Sequence, residues 1–164
     1  MYFRVQEKKK VPEDSIVIVG LPDIGYIGKL IVDYFIDKFR AQKIVSIYSS
    51  SLLPVAIVED SRIVGLPSFE IYEARKRINK RYPLILFKVD IPVDLTANLF
   101  FLVSHILSLF DRYKIREIVF IASYLKGAVS EQQEQIFCCS NINKTQVAIH
   151  DISGIIARFL VFIT

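Results

Sequence analysis

Tryptophan is absent from this 164-residue chain, methionine occurs once, and the two cysteines, Cys138 and Cys139, are neighbours. Adjacent cysteines offer neither the C-x-x-C spacing of a zinc site nor the loop-closing pairs of a disulfide framework. No metal and no cofactor is therefore expected, and a reducing, cytoplasmic setting fits best. The amino terminus, MYFRVQEKKKVPED, lacks the unbroken apolar core of a signal peptide. The longest greasy run, Leu95 to Phe110, contains Asn98, Ser104, His105 and Ser108 and is bounded by Asp94 and Asp111. It falls short of the roughly 20 apolar residues that cross a bilayer. A buried helix is expected there, and no membrane partner.

What is present is an ordinary globular composition, 52% hydrophobic and 23% charged, with no low-complexity tract, linker or internal repeat. The length suits one domain over residues 1–164 and is short for two. A net charge of +4 is a mild excess, gathered at Lys8-Lys9-Lys10 and in the run from Arg75 to Arg81. Both read as solvated faces, and without interleaved aromatics or a known motif no nucleic-acid partner is expected.

Short β-branched runs alternate with helical patterns. SIVIV (Ser15 to Val19) reads as a strand buried on both faces. From Ile24 to Phe39 apolar residues recur at Ile27, Leu30, Ile31, Tyr34, Phe35 and Phe39, with Lys29, Asp33, Asp37 and Lys38 opposite, which predicts a helix. Strands are predicted at 43–49, 55–59, from Arg62 to Pro67, 83–90 and 116–123. The alternating FEIYEAR (69–75) reads as an edge strand. Asp94 is a candidate cap for a long helix reaching Tyr113. The polar span 124–143 reads as irregular with one helical turn at 130–135, QVAIH as a last strand, and 152–163 as a last helix. This order predicts an α/β protein with helices packed on a largely buried sheet.

The stretch VGLPDIGYIGKL poses the main functional question. Backbone amides at a helix start attract anions, and glycine permits close approach. Yet a dinucleotide fingerprint needs G-x-G-x-x-G, and here Asp23 falls where the middle glycine belongs, with a carboxylate that would repel a pyrophosphate. A phosphate-binding P-loop needs G-x-x-x-x-G-K-[ST]. Gly20 and Gly25 match its spacing, but Tyr26 and Ile27 replace the lysine and hydroxyl. A structural corner is the stronger reading: Gly20 permits the sharp exit from the strand, Pro22 stiffens it and Asp23 caps the helix. Gly25 and Gly28 would let that helix press close to the sheet or a partner.

Catalytic constellations do not stand out. His105 sits within the greasy helix, and His150 and Asp151 are adjacent on a strand end, where neighbours point to opposite faces. Ser123 and Ser153 lack a G-x-S-x-G elbow. Glu59, Asp60, Glu70 and Glu73 offer carboxylates without a defined pair. The helix from Leu95 carries Phe100, Phe101, Val103 and Leu107 among apolar residues around most of its circumference, more than one small sheet face can cover. Those four are candidates for an oligomer interface.

The blocks VGLPDIGYIGKLIVDYFI, SLLPVAIVEDSRIVGLPSFEIYEAR and PLILFKVDIP together resemble the proteasome assembly chaperone 2-like family, archaeal type. The family's turn motif falls on Gly20, Leu21, Pro22, Ile24, Gly25, Ile27 and Gly28. Leu53-Pro54, Pro67 to Tyr72, Ser123-Tyr124 with Gly127, and Ile152-Ser153-Gly154 match later signatures. The resemblance implies a three-layer α/β/α sandwich with a mostly parallel, mixed sheet, like that of nucleoside phosphorylases. It also implies a non-catalytic role by contact with proteasome α-subunits and by self-association into a homo-oligomer. The alternative is a ligand-binding protein or enzyme of nucleoside-phosphorylase-like architecture. Chaperones of this kind dock through a tail ending hydrophobic-Tyr-any; here Phe162, Ile163 and Thr164 keep the hydrophobic residue and lack the tyrosine, a docking remnant at most.

Overall fold

The β-branched run at the front of the turn motif forms β2 (Ile16–Gly20), and the apolar PLILF segment forms β7 (Tyr82–Val89) beside it. These strands and β8 (Glu117–Ile121) run parallel to one another, with β2 in the middle. The computed structural model describes residues 2–22, 24–59, 63–92, 99–122, 138–139 and 160–163. Beyond β7 the sheet continues antiparallel through β6 (Phe69–Ile78), β3 (Gln42–Ser49) and β1 (Phe3–Glu7). Beyond β8 lie β10 (Leu160–Ile163), antiparallel to β8, and β9 (Cys138–Cys139), parallel to β10. The eight-stranded order is β1-β3-β6-β7-β2-β8-β10-β9. The sheet is thus mixed, its parallel part concentrated at β7-β2-β8, where crossover helices make the connections. A separate two-stranded hairpin, β4 (Ile57–Glu59) with β5 (Ile63–Gly65), stands off this sheet between β3 and β6.

Period-two alternation sorts the strand side chains onto two faces. Val17, Val19, Ile47, Phe69, Ile71, Ile85, Phe87 and Val89 form one core, covered by Leu102, Leu109 and Phe110 of α2 (Leu99–Arg112). The rings of Phe69 and Phe87 stack at 5.7 Å, and Phe110 meets Phe87 edge-on at 5.4 Å. Leu84, Leu86, Ala74, Ile18 and Tyr72 face the other way, onto Val32, Phe35, Ile36 and Phe39 of α1 (Ile27–Lys38). Helix, sheet and helix give the three layers expected.

Four expectations are corrected. The strand at 69–75 is interior, flanked by β3 and β7, because the charged face of its alternation holds Glu70 buried beside Lys43 and Tyr72. Helix α1 begins at Ile27, after a short 3-10 turn over Ile24–Tyr26. Its inward face follows Gly28, Val32, Phe35, Ile36 and Phe39, leaving Leu30 and Tyr34 exposed. The expected last helix is a strand in its final residues, since the β-branched and aromatic LVFI pairs with β8. The Asp94 cap, the turn at 130–135 and the QVAIH strand lie outside the described residues.

One connection was not legible: β6 and β7 form a tight hairpin inside the basic run. Asn79 and Lys80 both take left-handed backbone (φ 50° and 59°), and the Arg81 amide donates to the Ile78 carbonyl at 3.0 Å. Two successive positive φ values match the right-handed twist of flanking strands but strain a lysine. Lys80→Gly is expected to raise stability by about 0.5–1 kcal/mol in urea unfolding, with an unchanged m-value.

Candidate functional site

The turn motif is a backbone-to-backbone joint. A Cβ on Gly20 would lie 2.2 Å from the Gly28 carbonyl oxygen and 2.5 Å from Val32 Cγ2. A Cβ on Gly28 would lie 2.2 Å from the carbonyl oxygen of Ile121, at the end of β8. The absent side chains therefore let the first turn of α1 settle onto the ends of β2 and β8. Gly25 contributes differently. It holds φ +76°, and among the described residues a Cβ there would meet nothing nearer than Ile27 at 3.9 Å, so it serves the turn and not the packing. Tyr26, left-handed at φ 57°, occupies the position before the helix and makes no side-chain cap; the expected cap Asp23 lies outside the described residues. Pro22 sits half-buried in the loop that leaves β2.

Beside this joint, α1 is bolted to the sheet by alternating charges. Lys29 donates to Asp33 at 2.5 Å, one helical turn apart, and lies 3.3 Å from Asp90. Lys88, on β7, donates to Asp33 at 2.9 Å and to Asp90 at 3.0 Å, with its ammonium over the Tyr72 ring. Tyr72 donates to Glu70, which also accepts from Lys43 at 2.7 Å. Burial alone would push the Asp33 carboxyl up, but the lysine hydrogen bonds outweigh it and hold it below the usual carboxylate range. Burial likewise opposes charge on Lys88, and its two aspartates more than restore it, raising its pKa. Burial, then the Glu70 contact, pushes the Tyr72 hydroxyl up, so it remains a donor. Every charge here has an opposite neighbour. This is the chemistry of a clamp.

The candidate catalytic groups do not converge. Glu73 pairs with Lys9 and Glu70 with Lys43, so the two carboxylates work separately. His105 is exposed, its Nδ1–H donating to the Phe101 carbonyl at 2.7 Å and its ring 5.2 Å from Phe3. The Glu59 side chain, Asp60, Ser123, His150, Asp151 and Ser153 lie outside the described residues. Among the described residues no group of three His, Cys, Asp or Glu is placed to hold a metal, and no helix is long and apolar enough to cross a membrane.

The interface candidates on α2 are all exposed: Phe100 by 80%, Phe101 by 58%, Val103 by 43% and Leu107 by 42%. Phe100, Val103 and Leu107 share one stripe, beside the buried face carrying Leu102, Ile106 and Phe110. Sequence reasoning missed a second apolar surface. On the β4–β5 hairpin Val58 and Val64 are direct cross-strand partners and both exposed, and Leu53, Val55 and Leu66, which flank the hairpin in sequence, are exposed too. The β3–β6 connection and the start of α2 both lie at the carboxyl end of the parallel strands. Phe162 and Ile163 pair with Val119 and Ile118 inside the sheet and are not a projecting tail; Thr164 lies outside the described residues.

The PAC2 family model matches residues 17–158, from β2 to just short of β10. The chain belongs to the PAC2 family. Its fold is similar to that of Pyrococcus furiosus PbaB, described as an archaeal proteasome activator, with a TM-score of 0.77 and 21% identity over 96% of this chain. It is also similar to P. furiosus PbaA, described as an archaeal homolog of proteasome-assembly chaperone, with a TM-score of 0.68 and 14% identity over 98% of the chain. The match covers 66% of PbaB and 76% of PbaA. In sequence, it is 27% identical over 64 residues to the uncharacterized protein MJ1210 of Methanocaldococcus jannaschii, which covers 39% of this chain and 25% of that protein. Those comparisons show the fold and the family.

Two outcomes test the joint and the clamp. Gly28→Ala is expected to cost about 3 kcal/mol or more, read by chemical denaturation, because the clash is with a backbone oxygen. Asp33→Asn is expected to lower the melting temperature at pH 7. Because the Asp33 pKa is depressed in the fold, its contribution is present above the unfolded value and fades as pH falls through the folded one. The difference from the parent should therefore start to narrow at about pH 4 and close only at lower pH.

Proposed function

We propose that this chain is a non-catalytic binding protein of the proteasome-assembly kind, acting in the cytoplasm by contact with proteasome α-subunits and by self-association. The observation that carries the reading is the apolar carboxyl end, where α2 and the β4–β5 hairpin leave Phe100, Val58, Val64 and Leu66 in water. Covering side chains of this size is worth roughly 1.5–3 kcal/mol each, the usual driving force of protein association. Membership of the PAC2 family supports the partner class, as do the descriptions of PbaA and PbaB. Self-association is assigned to the α2 stripe of Phe100, Phe101, Val103 and Leu107. The proteasome contact is left to the remaining apolar surface.

Light scattering at micromolar concentration should show an oligomer, and Phe100→Asp with Leu107→Asp should convert it to a folded monomer. A strict monomer in the parent chain would remove the self-association. Affinity capture should retain α-subunits from the same host, with retention lost in Val58→Asp/Val64→Asp. Retention of no α-subunit by the parent would remove the chaperone reading.

A further inference from the structure

The end of the sheet opposite the apolar surface is basic, and its charge is arranged. β1 and α1 end there, the β6–β7 hairpin turns there, and the α2–β8 connection passes there. Several cations flanking this end are paired: Lys9 with Glu73, Lys10 and Lys114 with Glu13, Arg112 with Glu7 and Arg116 with Asp14. The hairpin differs. Among the described residues, none of Arg75, Lys76, Arg77, Lys80 and Arg81 pairs with a carboxylate.

Regular strand geometry would point Arg75, Lys76 and Arg77 to alternate faces. Here all three are exposed, over the stretch where the β6–β7 register slips between Glu73 and Arg77. Such an irregularity re-aims side chains. The hairpin is also braced from within. Lys76 lies 5.4 Å over the Phe39 ring, Arg81 and Arg116 lie 5.0 Å and 4.5 Å from the Tyr82 ring, and Arg77 donates to the Arg81 carbonyl at 3.0 Å. Five like charges within seven residues repel one another, and nothing on the described surface neutralises them.

We propose that this hairpin is a docking surface for an acidic segment of a partner protein. Charge complementarity names the chemistry, and the rings decide among polyanions. Phe39 carries Lys76 and stacks on Phe35, and Tyr82 carries Arg81 and Arg116, so both rings are already engaged within this chain and are poor platforms for a nucleic-acid base. The large exposed apolar residues lie toward the other end or midway along the helices, so no greasy wedge accompanies the charges into a bilayer. The surface is separate from the apolar carboxyl end, and its test is independent of self-association.

Fluorescence anisotropy with a labelled poly-glutamate peptide at low salt should show saturable binding that weakens as salt rises. Arg75→Glu with Lys80→Asp avoids the braced residues and should weaken binding by about tenfold, while Arg4→Glu on the β1 edge should change it by less than about twofold. A melting curve verifies folding, and if the double variant fails that check, Arg75→Gln carries the comparison with a smaller loss. The proposal is overturned by absent saturable binding or by equal losses in the hairpin and Arg4 variants. Tighter capture of a single-stranded oligonucleotide or of phosphatidylserine vesicles through the same hairpin overturns it too.

Discussion

Helix α1 can lie where it does because two residues have no side chain. With Gly20 and Gly28 in place, backbone meets backbone where β2, α1 and β8 converge, and a single methyl at either position would collide with a carbonyl oxygen. That contact fixes the helix start against two central strands. It also brings Asp33 within reach of Lys88 on β7, so the ionic clamp depends on the glycine joint for its geometry. The order of dependence runs from the missing Cβ atoms to helix placement, then to the pairing of charges. A phosphate cradle uses glycine to admit a ligand to the backbone. Here the space above both packing glycines is occupied by Val32 and by the chain's own carbonyl groups.

The clamp explains why the sheet tolerates polar residues at its centre. Glu70 is buried and Lys88 nearly so, a cost that would be severe for isolated charges. Alternation of sign across Lys43, Glu70, Lys88, Asp33, Lys29 and Asp90 gives each charge a partner, and the Tyr72 hydroxyl joins as donor. Replacing one member leaves its neighbours partly buried without compensation, whereas the intact set locks the helix to one register on the sheet.

The central strands were legible because β-branched runs bounded by breakers have few other uses, and 16–20, 42–49, 82–89 and 117–121 fall close to the runs read from sequence. The α2 stripe was legible for a related reason: too many apolar residues surround one helix. What failed was anything decided by neighbours in space. FEIYEAR alternates like an edge strand, yet its charged face is satisfied by Lys43 from β3, a partner 27 residues away. Leu30 and Tyr34 obey helical periodicity but lie off the face that meets the sheet. The inward register was set by Gly28 and Val32, whose small size gives a weak periodic signal. The β6–β7 turn hid in a basic run because lysine is an unusual residue for a left-handed position.

Exposed apolar side chains on the two helices are not equivalent. On α1, Tyr34 has the Lys38 ammonium 5.0 Å over its ring and touches Phe35, so part of its surface is already covered locally. Leu30 lies between Tyr26 and Tyr34, four residues to either side and both exposed, so its neighbours on that face are rings with polar hydroxyls. On α2, among the described residues Phe100 has only Phe101 as a ring neighbour, at 6.3 Å, and that residue is itself exposed. The Val58–Val64 pair is similarly bare, on a two-stranded hairpin that by itself is at best marginally stable in water. Local covering thus separates incidental exposure from exposure that needs a partner. The α2 stripe and the β4–β5 hairpin fall in the second group, and both sit at the end of the sheet where the basic hairpin does not.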